Sequence, residues 1–559
     1  MASDGVPLRA TQRAPRSCLS CSSRKVKCDK SVPCSRCIKR GQAEACMREM
    51  VIVRGEVTTW QDGPHVPTYE ELGRENQRLR REIAVLRAEL EKPLQSKSRP
   101  APLRSIKVDQ DGEGLEEELW QTLSTTQEKA SINSTILAWE DVILPSPACS
   151  DRLIAYDRTW NSWVHYTLEY PHFGDECINF MESIQDNLSL NKVDASWMAV
   201  YFSVLSTALL MMDDAEAENL PLPDGERFCP LTPASTDWYS VANRLHSTRR
   251  FGKLGPSIRS VQAIAVLGIS FNNRGDSELG QHLWSAAIRI AQKIGLDRGY
   301  SEMASSCLSA EGQHRLWWTL VICDWLILPY QPPRVHDIDF DVPLPSAASA
   351  DEVEEATHPV HYHIFMARTS TVVYHFRQAI RSGLESVTQT AKAVRKADEE
   401  LAEIIDTLLV HLQPEADGDD EIAQLELAQP WIKWQRFDLT LVLLHLRLRI
   451  NCTLQEQWLA HPGEYDWART ISVRSAMSVI WINRNWDQPA SMRKQWALSY
   501  HIFASAILLL REYRTDSSVG DEYSEAIRGA VELLELVKAH SALAHHAVRI
   551  LREKMNGGN

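Results

Sequence analysis

Six of the twelve cysteines of this 559-residue chain fall within the 29 residues from Cys18 to Cys46, at the spacing C-x2-C-x6-C-x5-C-x2-C-x8-C. So small a segment folds only with help, and in it metal binding and folding are one event. Zinc takes thiolates readily and prefers four tetrahedral ligands. Six thiolates leave one zinc with two to spare, and two independent zincs need eight. The nearest histidine, His65, lies well beyond the cluster, so no ring nitrogen completes the count from inside it. Two zinc ions fit if two thiolates bridge, because four terminal and two shared ligands make eight bonds. The segment then divides into the half-sites Cys18/Cys21/Cys28 and Cys34/Cys37/Cys46, each opening with C-x2-C. Position in each half makes Cys18 and Cys34 the shared pair.

Other uses of six cysteines fit less well. A disulfide framework suits a secreted mini-protein, yet MASDGVPLRATQRAP has no apolar core of a signal peptide. RING-like and LIM-like domains need eight ligands. A metal store has no use for an ordered basic run or for the 500 residues that follow. The remaining cysteines, at 149, 177, 229, 307, 323 and 452, share no C-x2-C spacing and read as reduced core thiols.

The segment CLSCSSRKVKCDKSVPCSRCIKRGQAEAC resembles the fungal zinc binuclear cluster (Zn2Cys6) family of DNA-binding domains over its whole length. The charge distribution agrees with such a role. The chain carries −14 as a whole, but residues 1 to 60 hold twelve Lys and Arg against five Asp and Glu, a net +7 that leaves −21 elsewhere. A basic head would face phosphate while an acidic body repels it. Two zincs and six thiolates sum to −2, and some nearby cations merely offset that charge. Three in four positions, Arg24, Lys25 and Lys27, exceed the need. On a short helix leading from Cys21 they would meet the acceptor-rich guanine edge in the major groove. The resemblance implies that Arg24 and Lys25 read a CGG-type triplet and that Lys27 touches base or phosphate. Ser22 stands where the family often has Arg. In the second half Arg36, Lys39 and Arg40 are expected on phosphates, fixing orientation.

A linker, 47 to 67, precedes TYEELGRENQRLRREIAVLRAELEK. Thr68 and Glu71 form a capping box after Pro67, and Pro93 stops the helix. Leu72, Leu79 and Leu86 recur every seven residues, with Tyr69, Asn76, Ile83 and Leu90 completing the a/d seam over 68–92. One buried Asn per strand fixes a parallel two-stranded register at some cost in stability. Glu75 and Glu82 at g face Arg80 and Arg87 at e′, so each interstrand contact is attractive in a homodimer. The alternative is an amphipathic helix packed on the body. Order within the preceding linker is expected at Val51-Ile52-Val53.

Residues 93–135 read as a second linker, with Pro100, Pro102 and an acidic, Gly-containing run. Beyond it the pattern is helical almost throughout, without sustained period-2 alternation. WMAVYFSVLSTALLMM, from Trp197 to Met212, is too short and too interrupted to span a membrane and reads as a core helix. In GQHRLWWTLVICDWLIL, Leu316, Leu320, Cys323 and Ile327 form one face that Trp317, Val321 and Leu328 widen nearly all round. Asp324 sits on that apolar surface and requires a partner. These segments, with DIDFDVPLP, resemble the fungal transcription factor middle homology region, placed at 136–350, with 351–559 as its C-terminal helical part. The chain departs from that pattern after the Trp-Trp helix, reading Leu328-Pro-Tyr-Gln-Pro-Pro333 instead of a Gly-Arg-Pro-like turn.

No H-E-x-x-H, P-loop, G-x-S-x-G or Rossmann glycine pattern occurs, so no enzymatic function is expected. The expected fold is mainly α: a small Zn2Cys6 domain, a short parallel coiled coil and a large all-α regulatory domain. The expected function is a nuclear, sequence-specific regulator of RNA polymerase II genes, binding double-stranded DNA at CGG-like half-sites as a zipper-linked homodimer. Its expected partners are the transcription machinery or co-regulators and a small-molecule effector, with no membrane. Control of a metabolic or natural-product gene set follows from family context alone. The competing reading is a zinc-organised protein-interaction regulator whose body binds an effector and which does not bind DNA by itself.

Overall fold

The protein was analysed as a computed structural model. It describes residues 17–43, 45–48, 115–123, 142, 144–186, 188–221, 238–243, 257–327, 331–347, 357–384, 386–416, 420–486, 488, 490–515 and 520–556, and three short strands at 9–10, 51–53 and 56–58. The chain forms two compact units, Met1–Pro102 and Leu103–Asn559. The expected coiled coil over 68–92, including Leu72, Asn76, Leu79, Ile83, Leu86 and Leu90, lies outside the described residues, as does Cys229.

In the first unit, helices α1 (Leu19–Ser23) and α2 (Ser35–Ile38) carry the two C-x2-C pairs. Strand β2 (Val51–Val53) pairs antiparallel with β3 (Glu56–Thr58), Ile52 opposite Val57, and parallel with β1 (Arg9–Ala10). Order therefore does enter the linker at Val51-Ile52-Val53. A bridge between Cys18 and Arg48, with Leu19 N–H donating to Met47 C=O at 2.8 Å, ties the end of the cluster back to its start.

The second unit is helical among its described residues, as the periodicity implied. Local signals start and stop its helices where capping chemistry puts them. Ser146 accepts from Cys149 N–H ahead of Pro147 at the first turn of Pro147–Tyr156. Gly295, at φ +86°, ends Ser277–Ile294 in the left-handed conformation that glycine adopts without strain. Helix Ala195–Met211 is buried from Ser196 to Met211, so the run read as a core helix is one. Among the described residues no helix is long and apolar enough to cross a membrane.

Two apolar cores share one wall. Helix Ile258–Leu267 gives Val261 and Ile264 to the larger core and Ala263, Val266 and Leu267 to the smaller. The larger core draws residues from Leu119 to Leu551, so helices on both sides of position 350 pack as one body. Helix 115–123 lies within the stretch expected as linker. It buries Leu119 and Leu123 in that core, and its Glu116 accepts from Arg449 Nη1 at 2.5 Å and Tyr500 Oη at 2.8 Å.

Asp324 finds its partner across the loop that follows its own helix. Its carboxylate, fully buried, accepts from Arg334 Nη1 at 3.0 Å and from the N–H groups of Arg334 at 2.7 Å and Val335 at 3.1 Å. Trp325 Nε1 donates to Val335 C=O and Trp318 Nε1 to Pro343 C=O, both at 2.9 Å, which straps the loop to the helix. That helix ends at Trp325, so Ile327 falls beyond it and does not extend the apolar face. Cys323, expected on that face as a core thiol, is instead exposed and lines a half-open cavity. Cys149 and Cys177 are buried, and Cys307 and Cys452 are partly so.

Candidate metal centre and nucleic-acid interface

The six sulfurs form two overlapping groups of four. Cys18, Cys21, Cys28 and Cys34 lie within 4.8 Å of one another, and so do Cys18, Cys34, Cys37 and Cys46. Cys18 and Cys34 belong to both. A tetrahedron with zinc–sulfur arms of about 2.3 Å has edges of about 3.8 Å. The Sγ separations are 3.9 Å for Cys18–Cys34, 3.8 Å for Cys18–Cys37 and 3.7 Å for Cys21–Cys34. These separations match the edges of such tetrahedra, and the residues present fit zinc.

The two halves repeat one local design. Cys18 (φ −66°, ψ 152°) and Cys34 (φ −73°, ψ 149°) each sit at a helix N-cap, and each sulfur accepts the N–H three residues on, at 3.4 Å. Cys28 Sγ accepts from Lys30 N–H at 3.4 Å and Cys46 Sγ from Cys34 N–H at 3.3 Å. Such donors offset the excess negative charge of a six-thiolate cluster. All six cysteines are buried. Thiols packed this closely cannot all ionise on their own. The N–H of Cys37 above all holds the Cys34 thiol down at about 6, whereas its hydrogen bond with Cys34 and burial push Cys37 up to about 12. A divalent cation resolves this competition by replacing the protons.

Both halves also leave their helices in the same way. Val26 N–H donates to Cys21 C=O and Gln42 N–H to Cys37 C=O, each at 3.0 Å. Each turn needs a left-handed residue four positions after its cysteine. The second half supplies Gly41 at φ +68°; the first uses Lys25 at φ +54°. A left-handed lysine costs about 1 kcal/mol or more relative to an ordinary conformation.

This geometry alters the expected presentation of the cations. Helix α1 ends at Ser23 with Arg24 as its C-cap, so Arg24, Lys25 and Lys27 do not lie along a helix. They occupy the turn and extended segment just beyond its C-terminus, because the chain must double back to bring Cys28 to the cluster. All three are exposed, as are Arg36, Lys39 and Arg40 in the second half. Arg24 Nη2 donates to Gln42 Oε1 at 3.2 Å, which links the two halves. Asp29, which no metal or DNA motif marks, also belongs to this site. Its carboxylate accepts from Ser31 Oγ at 2.9 Å, from Ser35 N–H at 2.8 Å and from the Ser35 hydroxyl. The Ser35 hydrogen bonds above all lower its pKa to about 2, so it stays ionised and ties the first half to α2. The signal was present in D-x-S-x3-S, a carboxylate with two hydroxyls in reach.

Comparison with known proteins agrees with this geometry. The chain matches the fungal Zn(2)-Cys(6) binuclear cluster domain over residues 16–49 and the fungal specific transcription factor domain over residues 162–407. It is 20% identical to the agnestins biosynthesis cluster transcription factor of Paecilomyces divaricatus, over 98% of this chain and 85% of that one. It is 29% identical to the transcriptional regulator AacuB of Aspergillus aculeatus, over 24% of this chain and 17% of that one. In fold it is similar to the K. lactis CBF3 core, with a TM-score of 0.51 at 13% identity over 80% of this chain and 92% of that one. With a thiolate cluster and its domain match at one end and the middle-region match across the helical body, the chain belongs to the fungal Zn2Cys6 transcription factors and is a DNA-binding transcription regulator, not an enzyme.

Proposed function

We propose that the protein holds two zinc ions through Cys18, Cys21, Cys28, Cys34, Cys37 and Cys46 and binds paired CGG-like half-sites as a homodimer in the nucleus. The observation that carries this reading is the pair of sulfur tetrahedra sharing Cys18 and Cys34, with Arg24, Lys25 and Lys27 exposed on the turn that leaves the first. The cluster makes the turn rigid, and a rigid turn places cations against base edges with little ordering cost on binding. Arg36, Lys39 and Arg40 contact phosphate and set orientation. The heptads of 68–92, centred on Asn76, join two heads in parallel, and the strands of the linker shorten its free reach. The body is the regulatory part, responding to a small-molecule effector and to co-regulators or the transcription machinery. The similarity to a regulator of the agnestins biosynthesis cluster supports a biosynthetic gene set as the target.

Fluorescence anisotropy of the full chain on duplexes bearing two CGG triplets at stepped spacings tests this reading. One preferred spacing is expected, with an affinity at least about 10³-fold above random duplex. Equal affinity for single triplets, pairs and random sequence would leave the protein-interaction reading in its place.

A further inference from the structure

The helical body holds a half-open cavity of about 1170 Å³, larger than most drug-sized binding sites. Its wall is mainly apolar and aromatic, with Phe271, Trp284, Met366, Phe376 and Trp496 among its residues. Polar side chains also line it, and those on one helix are arranged in order. Asp438, Val442, His445 and Arg449 lie at i, i+4, i+7 and i+11 of helix Trp431–Cys452, so one stripe of that helix runs along the cavity for about 16 Å.

At one end of the stripe Asp438, which is buried, accepts from Tyr362 Oη at 2.5 Å. In the middle, the buried rings of His445 and His501 stack at 4.2 Å. Burial keeps both imidazoles neutral, His501 at about 3 and His445 well below its ordinary value. Each therefore offers one donor and one acceptor and no charge. At the far end the wall carries Arg377, whose Nη1 donates to Trp325 C=O at 2.6 Å, and Arg449, whose Nη1 donates to Glu116 at 2.5 Å, with Glu116 also accepting from Tyr500 Oη. Arginines at the end of an apolar cavity favour a carboxylate, which their planar fork binds in two-point geometry.

We infer that this cavity binds an elongated, largely apolar carboxylic acid, with its carboxylate at Arg377 and Arg449 and its apolar frame along Val442 toward Asp438. The inference rests on the reading of the body as the effector-responsive part of the protein. It adds the site and the chemical class of the ligand. Helix 115–123, which forms part of the same wall through Glu116 and Trp120, is the first described element of the body and would feel the ligand directly.

The probe is 1-pyrenebutyric acid, titrated into the full chain and read by energy transfer from the cavity tryptophans to pyrene, with its methyl ester as control. Saturable binding is expected, with the acid at least about tenfold tighter than the ester, the size of one charge-assisted hydrogen-bonded pair. Arg377→Gln should bring acid and ester together. Val442→Phe, which fills the middle of the stripe, should weaken both. If Val442→Phe melts early, Trp496→Phe serves instead, since it must lower the energy transfer if pyrene sits in the cavity. No saturable signal, equal binding of acid and ester, or indifference to both Val442→Phe and Trp496→Phe would overturn the inference. Anisotropy on the paired CGG duplex with the same samples separates the two readings. Intact DNA binding without probe binding rejects the cavity alone, and the converse rejects only the role of the head.

Discussion

The head and the body hold their chains in place by opposite means. Among the described residues of the head no large apolar side chain is buried apart from the cysteines themselves, and Leu19, Val32 and Ile38 are exposed. In the body the larger of two cores runs from Leu119 to Leu551, and helix Ala195–Met211, in the smaller, is buried along its length. A core spreads its stabilisation over many side chains, each worth about 1.5–3 kcal/mol when buried. A metal cluster concentrates it in six atoms. The head can therefore present its cations at the surface without an apolar core beneath them, whereas the body must keep its charges outside or paired.

The largest test of that contrast removes one sulfur. Cys34 belongs to both tetrads and Cys46 to one. Cys34→Ala should release both metals and unfold the head, a loss on the order of 10 kcal/mol. Cys46→Ala should spare the tetrad of Cys18, Cys21, Cys28 and Cys34. Metal analysis of the purified full chain measures this, and far-UV circular dichroism should show the helical body unchanged in both variants. Equal metal loss in the two variants would end the idea of shared ligands.

Acid should reverse the ranking and strike the body. His363 and His501 are held at about 3 and His411 at about 4 by burial, and His445 well below its ordinary value. The unfolded chain takes up these protons from about 6.5 downward while the native body does not, so stability falls as pH drops through that window. Asp438 opposes this, because burial lifts it to about 6 and the native state gains its proton first between pH 6 and 4. His358, held at about 4 by burial, adds to the loss and Asp276, raised by burial, to the opposition, and the balance is a net loss of roughly 4–5 kcal/mol between pH 7 and pH 5.5. Urea unfolding followed by tryptophan fluorescence should show it, and His501→Phe should flatten the slope by close to one proton.

The body's charges must be paired, and Asp324 shows how strictly. Arg334→Ala leaves its buried carboxylate with two backbone donors and no cation, for a loss of about 3 kcal/mol. Arg334→Ala together with Asp324→Asn should recover part of it. If the single variant unfolds at the wild-type urea midpoint, the pair is not holding the loop.

What could be read in advance divides along the same line. The metal centre was legible because its ligands are local: spacing and coordination number alone gave both tetrads and the shared pair. The helices of the body were legible from periodicity for the same reason. Asp324 announced a need but not its partner, because Arg334 reaches it only through a loop whose path depends on Trp318 and Trp325. Helix 115–123 was hidden in an acidic, linker-like stretch; what stabilises it, Arg449 and Tyr500, lies more than 300 residues away. The cavity left no motif at all, since its walls come from helices scattered through the body. The cations were found, but their setting was not. The demand for Cys28 at the cluster breaks the helix that composition alone would extend.

On the head, single cations separate reading from positioning. Lys25→Ala should cost about 1–3 kcal/mol at CGG-containing duplexes and little on random ones. Lys39→Ala should weaken both alike and lower the salt slope by about one ion. Anisotropy across a salt series on the two duplexes decides it; parallel losses for Lys25→Ala would make it a phosphate contact.

The smallest effect is the most diagnostic, because here stability and binding pull in opposite directions. Lys25 and Gly41 occupy equivalent turns, and only the glycine is at ease with its positive φ. Lys25→Gly should therefore stabilise the head by up to about 1 kcal/mol, less the added freedom of the unfolded chain. Gly41→Ala should destabilise it by a similar amount through the backbone alone, since an added Cβ there meets nothing within 4 Å. The readout is the chelator concentration at which half the metal leaves the full chain. If Lys25→Gly resists chelation better yet loses CGG binding, the first half tolerates a strained backbone to hold an ammonium group where DNA will be. If it gains nothing in resistance, the left-handed lysine is relaxed in its surroundings and its place is set by the cluster alone.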